Sequence, residues 1–211
     1  MIAVRPSRRL GTLRLLFLIT CLVMLTAAAV TTCARPVYVR LDAAPQWREA
    51  FLQVVATQMG LREKSGRNDG PHIDAYLRAT GLGPGYAYCY AMPYWAGQQA
   101  AMKTNTTNPL PRTASTQTAF DRALQAGARA SGYDVGSIAI FRVPKRWEGH
   151  AMTIVEILGN GWVRTHESNT AAPTRRKTPT AAERDGQGNY ERVRCLNSPL
   201  GRMYLRGIIV V

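Results

Sequence analysis

The sequence predicts one α+β domain, with N-terminal helices packed on one face of an antiparallel β-sheet. Its 211 residues leave room, beyond a targeting segment, for a single hydrophobic core. Apolar residues recur at helical spacing in the first part of the chain, and after Gly132 the pattern changes to that of strands. Helices followed by strands, without an internal repeat, are the element order of this fold class.

Residues 1–34 have the pattern of an export signal or a membrane anchor. Four arginines, ending with Arg14, precede an uncharged run over 15–34. The run matches the ~20 residues that span a bilayer, so cleavage and anchoring are both open, and Cys33 adds lipidation as a third route. Because basic residues stay on the cytoplasmic side, we expect the domain over 45–211 to be exported: periplasmic, on the cell surface or membrane-anchored.

The chain is strongly basic, with a formal net charge of +14. In an exported protein this charge favours the anionic surface of the cell envelope, including peptidoglycan carboxylates, teichoic acids and lipopolysaccharide. Nucleic acid is the natural partner of an intracellular basic protein, so none is expected here. The alternative is that an arginine-rich composition alone explains the charge.

Four helices are expected before the strands. The first is predicted over 47–59, and a short second helix ends at Gly81. A third begins near Cys89, and a fourth runs over 116–130. A proline four residues after the cysteine removes one donor from the third helix and clashes with the cysteine carbonyl. This helix is therefore expected to start late or to bend.

Strands are expected over 135–143, 150–158 and 162–167, and a last strand over 203–211. A polar, basic loop is predicted over 168–189, because that stretch has neither strand nor helix periodicity. The strands are thus predicted to follow one another as antiparallel neighbours.

Cys89 and His150 are the candidate nucleophile and base. A cysteine at a helix N-terminus feels the positive end of the helix dipole, which favours the thiolate. A histidine within hydrogen-bond reach takes the thiol proton and later protonates the leaving amine. His72 and His166 are rival bases, but we interpret both as structural or exposed. The competing interpretation is a disulfide between Cys89 and Cys195, because an exported domain folds in an oxidising compartment.

No metal ion or other cofactor is expected. The three histidines are scattered, and the spacings Cys-x-x-Cys and His-Glu-x-x-His do not occur. No cluster of acidic residues resembles a calcium-binding loop. The chemistry therefore has to come from side chains alone.

Five stretches carry a resemblance to a known family: 63–71, 85–91, 136–141, 149–155 and 166–170. The sequence Tyr-Cys-Tyr-Ala around the candidate nucleophile is similar to Tyr-Cys-x-Ala in that family. The sequence Gly-Ser-Ile at the first predicted strand is similar to its Gly-Asp-Ile, and Glu-Ser-Asn-Thr in the last stretch to its Glu-Gly-Asn-Thr. Over about residues 60–210 the chain resembles the CHAP-domain amidases and peptidases.

The resemblance implies a papain-like CHAP fold and a hydrolase that cuts amide bonds of peptidoglycan, as an N-acetylmuramoyl-L-alanine amidase or an endopeptidase. By this likeness Cys89 is the nucleophile and His150 the general base, while Glu167 and Asn169 are the candidates for orienting the imidazole. Two alternatives stay open. One is a non-catalytic cell-wall binding module with the Cys89–Cys195 disulfide, and the other is an antibacterial effector that degrades another cell's wall.

The turn at Asn160-Gly161 predicts how the orienting side chain reaches His150. In a two-residue hairpin turn His150, Glu167 and Asn169 share one face, with Asn169 as the diagonal neighbour of His150. Glu167 lies one step farther and needs a bulge to reach the imidazole. The likeness still favours Glu167 as the principal orienter, with Asn169 supporting it or the oxyanion site. The register set by the two-residue turn pairs Gly159 with Trp162, Met152 with Asn169, and Ile154 with Glu167.

Overall fold

The computed structural model describes residues 36–173 and 187–211, and the predicted export segment over 1–34 lies outside them. The described residues contain four helices: α1 (Pro45–Thr57), α2 (Pro71–Thr80), α3 (Ala91–Thr104) and α4 (Thr116–Ala126). Their seven strands are β1 (Val37–Arg40), β2 (Ala128–Arg129), β3 (Ile138–Arg142), β4 (Gly149–Gly159), β5 (Trp162–Thr170), β6 (Gly188–Cys195) and β7 (Tyr204–Val210). In this part of the chain no helix has the length and apolar character needed to cross a bilayer.

The strands form one sheet in the order β2-β1-β7-β3-β4-β5-β6. Neighbouring strands are antiparallel except β1 and β7, which pair in parallel. Parallel neighbours need a long connection, and here most of the domain lies between these two strands. The mixed α/β architecture is compatible with the predicted α+β class, while the expectation of a wholly antiparallel sheet is wrong at this pair.

The helices pack on one face of the sheet. One hydrophobic cluster joins helical side chains such as Trp47 and Phe120 to Ile138 of the sheet. Helices α1 and α2 both pack against α3, and the Trp47 indole donates a 2.9 Å hydrogen bond to the Gly97 carbonyl of α3. Helix α3 is therefore held at the centre of the helical layer. A second cluster consists of Ala139, Phe141, Met152, Ile154, Val163, Leu196, Ile208 and Val210.

The four predicted helices are confirmed, with shifts at their ends. Helix α2 stops where expected, because Gly81 adopts the left-handed conformation (φ 90°) that closes a helix. Helix α4 ends at Ala126 instead of residue 130, since the chain turns at Gly127 into the short strand β2. Propensity alone did not mark this end, because pairing of β2 with β1 decides it.

Strands β1, β2 and β6 are not predicted by the sequence. Strand β1 lies before residue 45, so the sheet begins earlier than the expected domain boundary. Strand β6 begins within the predicted loop, whose residues 174–186 lie outside the described part. Strand β6 lies at the edge of the sheet, where charged residues are common. Its charged residues, including Glu191 and Arg194, obscure the alternation of polar and apolar residues that would indicate a strand.

Gly149 at the start of β4 allows close contact with α4. A Cβ atom at this position would overlap the Gln117 amide and the Phe141 carbonyl and would lie 2.8 Å from the Thr116 hydroxyl. We expect Gly149→Ala to lower the free energy of unfolding by about 1–3 kcal/mol, measured by urea denaturation. Gly83→Ala is the matched control, because Gly83 is exposed and a Cβ there meets no atom within 4 Å. Equal losses in both variants would contradict this packing argument.

Candidate active site

Cys89 lies immediately before α3, as the residue preceding the N-cap Tyr90. Its side chain is a free thiol and the residue is only 6% exposed. The helix dipole places partial positive charge at this end of α3, which favours an anionic sulfur. The helix begins at Ala91, two residues later than Cys89, so the late start expected from Pro93 is observed.

The His150 imidazole connects the thiol to a buried carboxylate. Its Nε2 lies 3.0 Å from Oε2 of Glu167, and the side chain is 10% exposed. The Cys89 thiol lies close enough to the ring to raise its pKa. Because Nε2 faces Glu167, Nδ1 is the ring nitrogen that is left to take the thiol proton. Cys89, His150 and Glu167 therefore form one buried series, in which His150 and Glu167 are joined by a hydrogen bond.

Glu167 is fully buried and is held by donors on both oxygens. The Arg194 guanidinium donates to Oε1 at 2.7 Å and to Oε2 at 2.9 Å, a bidentate pair. The Thr165 hydroxyl donates to Oε1 at 2.8 Å. A buried charge is tolerated when it is paired and hydrogen-bonded in this way. The carboxylate is thus fixed in position before it contacts His150.

The electrostatics of the pair favour a charged imidazole. Burial lowers the pKa of His150, but the neighbouring Cys89 thiol and the Glu167 carboxylate, which accepts a hydrogen bond from the ring, outweigh it and raise the pKa to about 10. Burial raises the pKa of Glu167, whereas the His150 and Arg194 hydrogen bonds hold it well below its usual range. At neutral pH the arrangement therefore contains an imidazolium beside an ionised carboxylate.

The β4–β5 hairpin differs from the predicted register. The pair Gly159–Trp162 is present as predicted, but the register shifts twice further along, between Ile157 and Gly159 and between Ile154 and Glu156. Each shift adds one residue to β4 and would turn the side chains to the other face, so two shifts restore the original face. The predicted pairs Met152–Asn169 and Ile154–Glu167 are wrong.

The two irregularities bring Glu167 to His150. In the observed register Glu167 pairs with Met152, two residues from His150, and so becomes the diagonal neighbour of the imidazole. The sequence predicted that this contact needs a bulge, and β4 contains two shifts of register relative to β5. A local irregularity of this kind changes the direction in which the side chains of a strand point.

Asn169, predicted to support Glu167 or the oxyanion site, lies near the end of β5. Its φ is 53°, a left-handed conformation that asparagine tolerates better than most residues. Its backbone lies near the Tyr88 hydroxyl, which donates to Glu63 at 3.0 Å. Among the described residues, no hydrogen bond joins the Asn169 side chain to His150. Glu167 is therefore the hydrogen-bond partner of His150, and the supporting role of Asn169 stays a prediction.

The remaining predicted residues lie outside this series. Cys195 at the end of β6 is a free thiol, and Cys89 is also free, so the alternative disulfide between them is absent. His72 is exposed, and His166 pairs with Glu191 at 3.5 Å, with its pKa lowered by burial. Among the described residues, neither rival histidine forms a hydrogen bond or ion pair with Cys89, His150 or Glu167.

The sequence did not reveal Arg194 or Thr165 as members of the site. Thr165 lies two residues before Glu167 on β5, so strand alternation places it on the same face once Glu167 is chosen. Arg194 lies on β6, opposite Val163, and can be placed only when that strand is known. The alternating arginines at 192 and 194 are the single signal that could have indicated it.

In comparisons with protein-family models, with curated proteins and with solved structures, no match to this chain was found. The CHAP resemblance therefore stays an expectation. The chemistry of the site itself has to support any function.

Proposed function

We propose that the chain is an exported cysteine hydrolase with a papain-like CHAP fold, which cuts amide bonds in the peptide part of peptidoglycan. The observation that supports this proposal is the buried series from the Cys89 thiol through His150 to Glu167. A free thiol at a helix N-terminus, a histidine and an orienting carboxylate are the parts that thiol-based acyl transfer requires.

The proposed reaction uses these parts in two steps. The Cys89 sulfur, having given its proton to His150, attacks the amide carbonyl carbon and forms a C–S bond. The imidazolium donates its proton to the leaving amine as the C–N bond breaks, which leaves a thioester. His150 then removes a proton from water, whose oxygen attacks the thioester carbon. The C–S bond breaks, the acyl group leaves as a carboxylic acid, and the proton on His150 returns to the sulfur. Glu167 stabilises the imidazolium at each stage and keeps Nδ1 directed at the sulfur.

The choice of peptidoglycan rests on compartment, charge and resemblance. The N-terminal pattern favours export, where peptidoglycan is an abundant amide-containing polymer. The net charge of +14 favours a polymer that carries carboxylates. The motifs around Cys89, His150 and Glu167 resemble those of peptidoglycan amidases and endopeptidases. The proposed partners are therefore peptidoglycan and the anionic envelope surface, and no cofactor is invoked.

Purified peptidoglycan tests the proposal directly. We expect the full-length protein to release soluble fragments whose masses correspond to hydrolysis of an amide bond. Free stem peptides together with peptide-free glycan would identify an amidase, and shortened or uncrosslinked peptides would identify an endopeptidase. Fragments cut at glycosidic bonds, or no release by folded protein, would refute the proposed function.

A further inference from the structure

One backbone hydrogen bond is missing at the start of α3. The backbone amides of Met92 and Tyr94 each donate to the carbonyl four residues earlier, at 3.1 Å. The residue between them is Pro93, which has no N–H to donate to the Cys89 carbonyl. Cys89 is only 6% exposed, so water does not readily replace this donor. The peptide that carries the proposed nucleophile therefore needs a donor from elsewhere.

Ser168 on β5 supplies that donor. Its hydroxyl lies 3.2 Å from the Cys89 carbonyl and 3.2 Å from the Tyr88 carbonyl, and the residue is 1% exposed. The Tyr88 carbonyl already accepts the Met92 amide. Since a hydroxyl has one hydrogen, the Cys89 carbonyl is the acceptor that depends on it.

This hydrogen bond connects the two halves of the site. Ser168 directly follows Glu167 in the chain, so its hydroxyl attaches the nucleophile's peptide to the strand that orients His150. A complete helix ladder would satisfy the Cys89 carbonyl within α3 and would make no such connection to the sheet. The separation between the two residues, 79 positions in sequence, means that only the folded chain makes this contact.

We infer that Ser168 is a positioning residue. Its hydroxyl replaces the hydrogen bond to the Cys89 carbonyl that Pro93 cannot donate, and thereby fixes Cys89 relative to His150. Its effect on turnover rests on the proposed function, whereas its effect on the reactivity of the thiol does not. Ser168 contacts no reacting atom. It acts through the peptide that holds the sulfur against the imidazole.

Four full-length proteins test the inference: wild type, Ser168→Ala, Pro93→Ala and the double variant. The measurement is the rate at which iodoacetamide alkylates Cys89 as a function of pH, with the other cysteines separated by peptide mapping. We expect Ser168→Ala to slow alkylation about tenfold when Pro93 is present. In the Pro93→Ala background we expect Ser168→Ala to slow alkylation less than about twofold, because the backbone N–H of the new alanine donates to the Cys89 carbonyl. Ser168→Thr keeps the hydroxyl and should retain the wild-type pH profile.

Equal losses in both backgrounds, or no loss in Ser168→Ala, would overturn the inference. If Ser168→Ala does not fold, recovery of folding and alkylation by Pro93→Ala supports it, and failure of that rescue overturns it. Muropeptide release is measured in parallel. The effect of Ser168→Ala on alkylation could depend on Pro93 as expected while the wild type releases no muropeptides. That result would refute the proposed function and still support the role of Ser168.

Discussion

Replacing Cys89 by serine is expected to abolish release of fragments from peptidoglycan without unfolding the protein. A serine hydroxyl is far less acidic than a thiol, so His150 no longer generates an anionic nucleophile at neutral pH. The rate of release should fall on the order of 10⁴-fold or more, as when the nucleophile of a catalytic triad is removed. The volume changes little, and the hydroxyl can still bond to His150, so the thermal unfolding midpoint should stay close to that of the wild type.

Cys195→Ser is the matched control for this variant. Cys195 is also a free cysteine, but it lies at the end of β6 and makes no contact with His150 in the buried series. It should retain activity. Full activity in Cys89→Ser would exclude a thiol mechanism. Loss of function in both serine variants would instead revive the disulfide interpretation of the two cysteines.

Local patterns predicted the elements that carry the site. Helix α2 ends at Gly81 because a glycine adopts a left-handed conformation easily, and this signal is visible in the sequence. The Asn160-Gly161 turn likewise closes the β4–β5 hairpin at the predicted pair. Helix propensity and turn chemistry depend on a few neighbouring residues, so they can be predicted from the sequence. The residues proposed as nucleophile and base follow from these elements and from the motifs around them.

Features that depend on distant partners could not be predicted. The two register shifts in β4 lie between Ile154 and Gly159, beyond the part of the strand that pairs with β3, and no local sequence pattern specifies them. Arg194 belongs to an edge strand whose charges conceal its periodicity, so its bidentate pair with Glu167 was not anticipated. Pro93 correctly predicted a missing donor in α3. It gave no indication that Ser168, far along the chain, replaces that donor.

Replacing Glu167, the proposed orienting residue of His150, is the second substitution with a large expected effect on turnover. Glu167→Gln keeps the shape of the side chain but removes the charge that supports the imidazolium. The Arg194 guanidinium then faces the imidazole without a compensating carboxylate. We expect kcat/KM for peptide release to fall on the order of 10²- to 10⁴-fold, as in triads whose carboxylate becomes an amide. Asn169→Gly, which keeps the left-handed backbone allowed, should cost less than about tenfold, since its side chain does not bond to His150.

The pH dependence distinguishes orientation by charge from a purely structural role of Glu167. The raised pKa of His150, about 10, means that the imidazolium and its contribution to stability are fully present below the ordinary value of 6.5 and are lost as pH rises through about 10. Without the carboxylate this pKa falls, so the alkaline limb of the kcat/KM profile should move to lower pH in Glu167→Gln and stay in place in Asn169→Gly. Wild-type and variant profiles measured on one peptidoglycan preparation provide the comparison. A larger loss in Asn169→Gly than in Glu167→Gln, or an unmoved alkaline limb in the latter, would show that the Glu167 charge does not support the imidazolium.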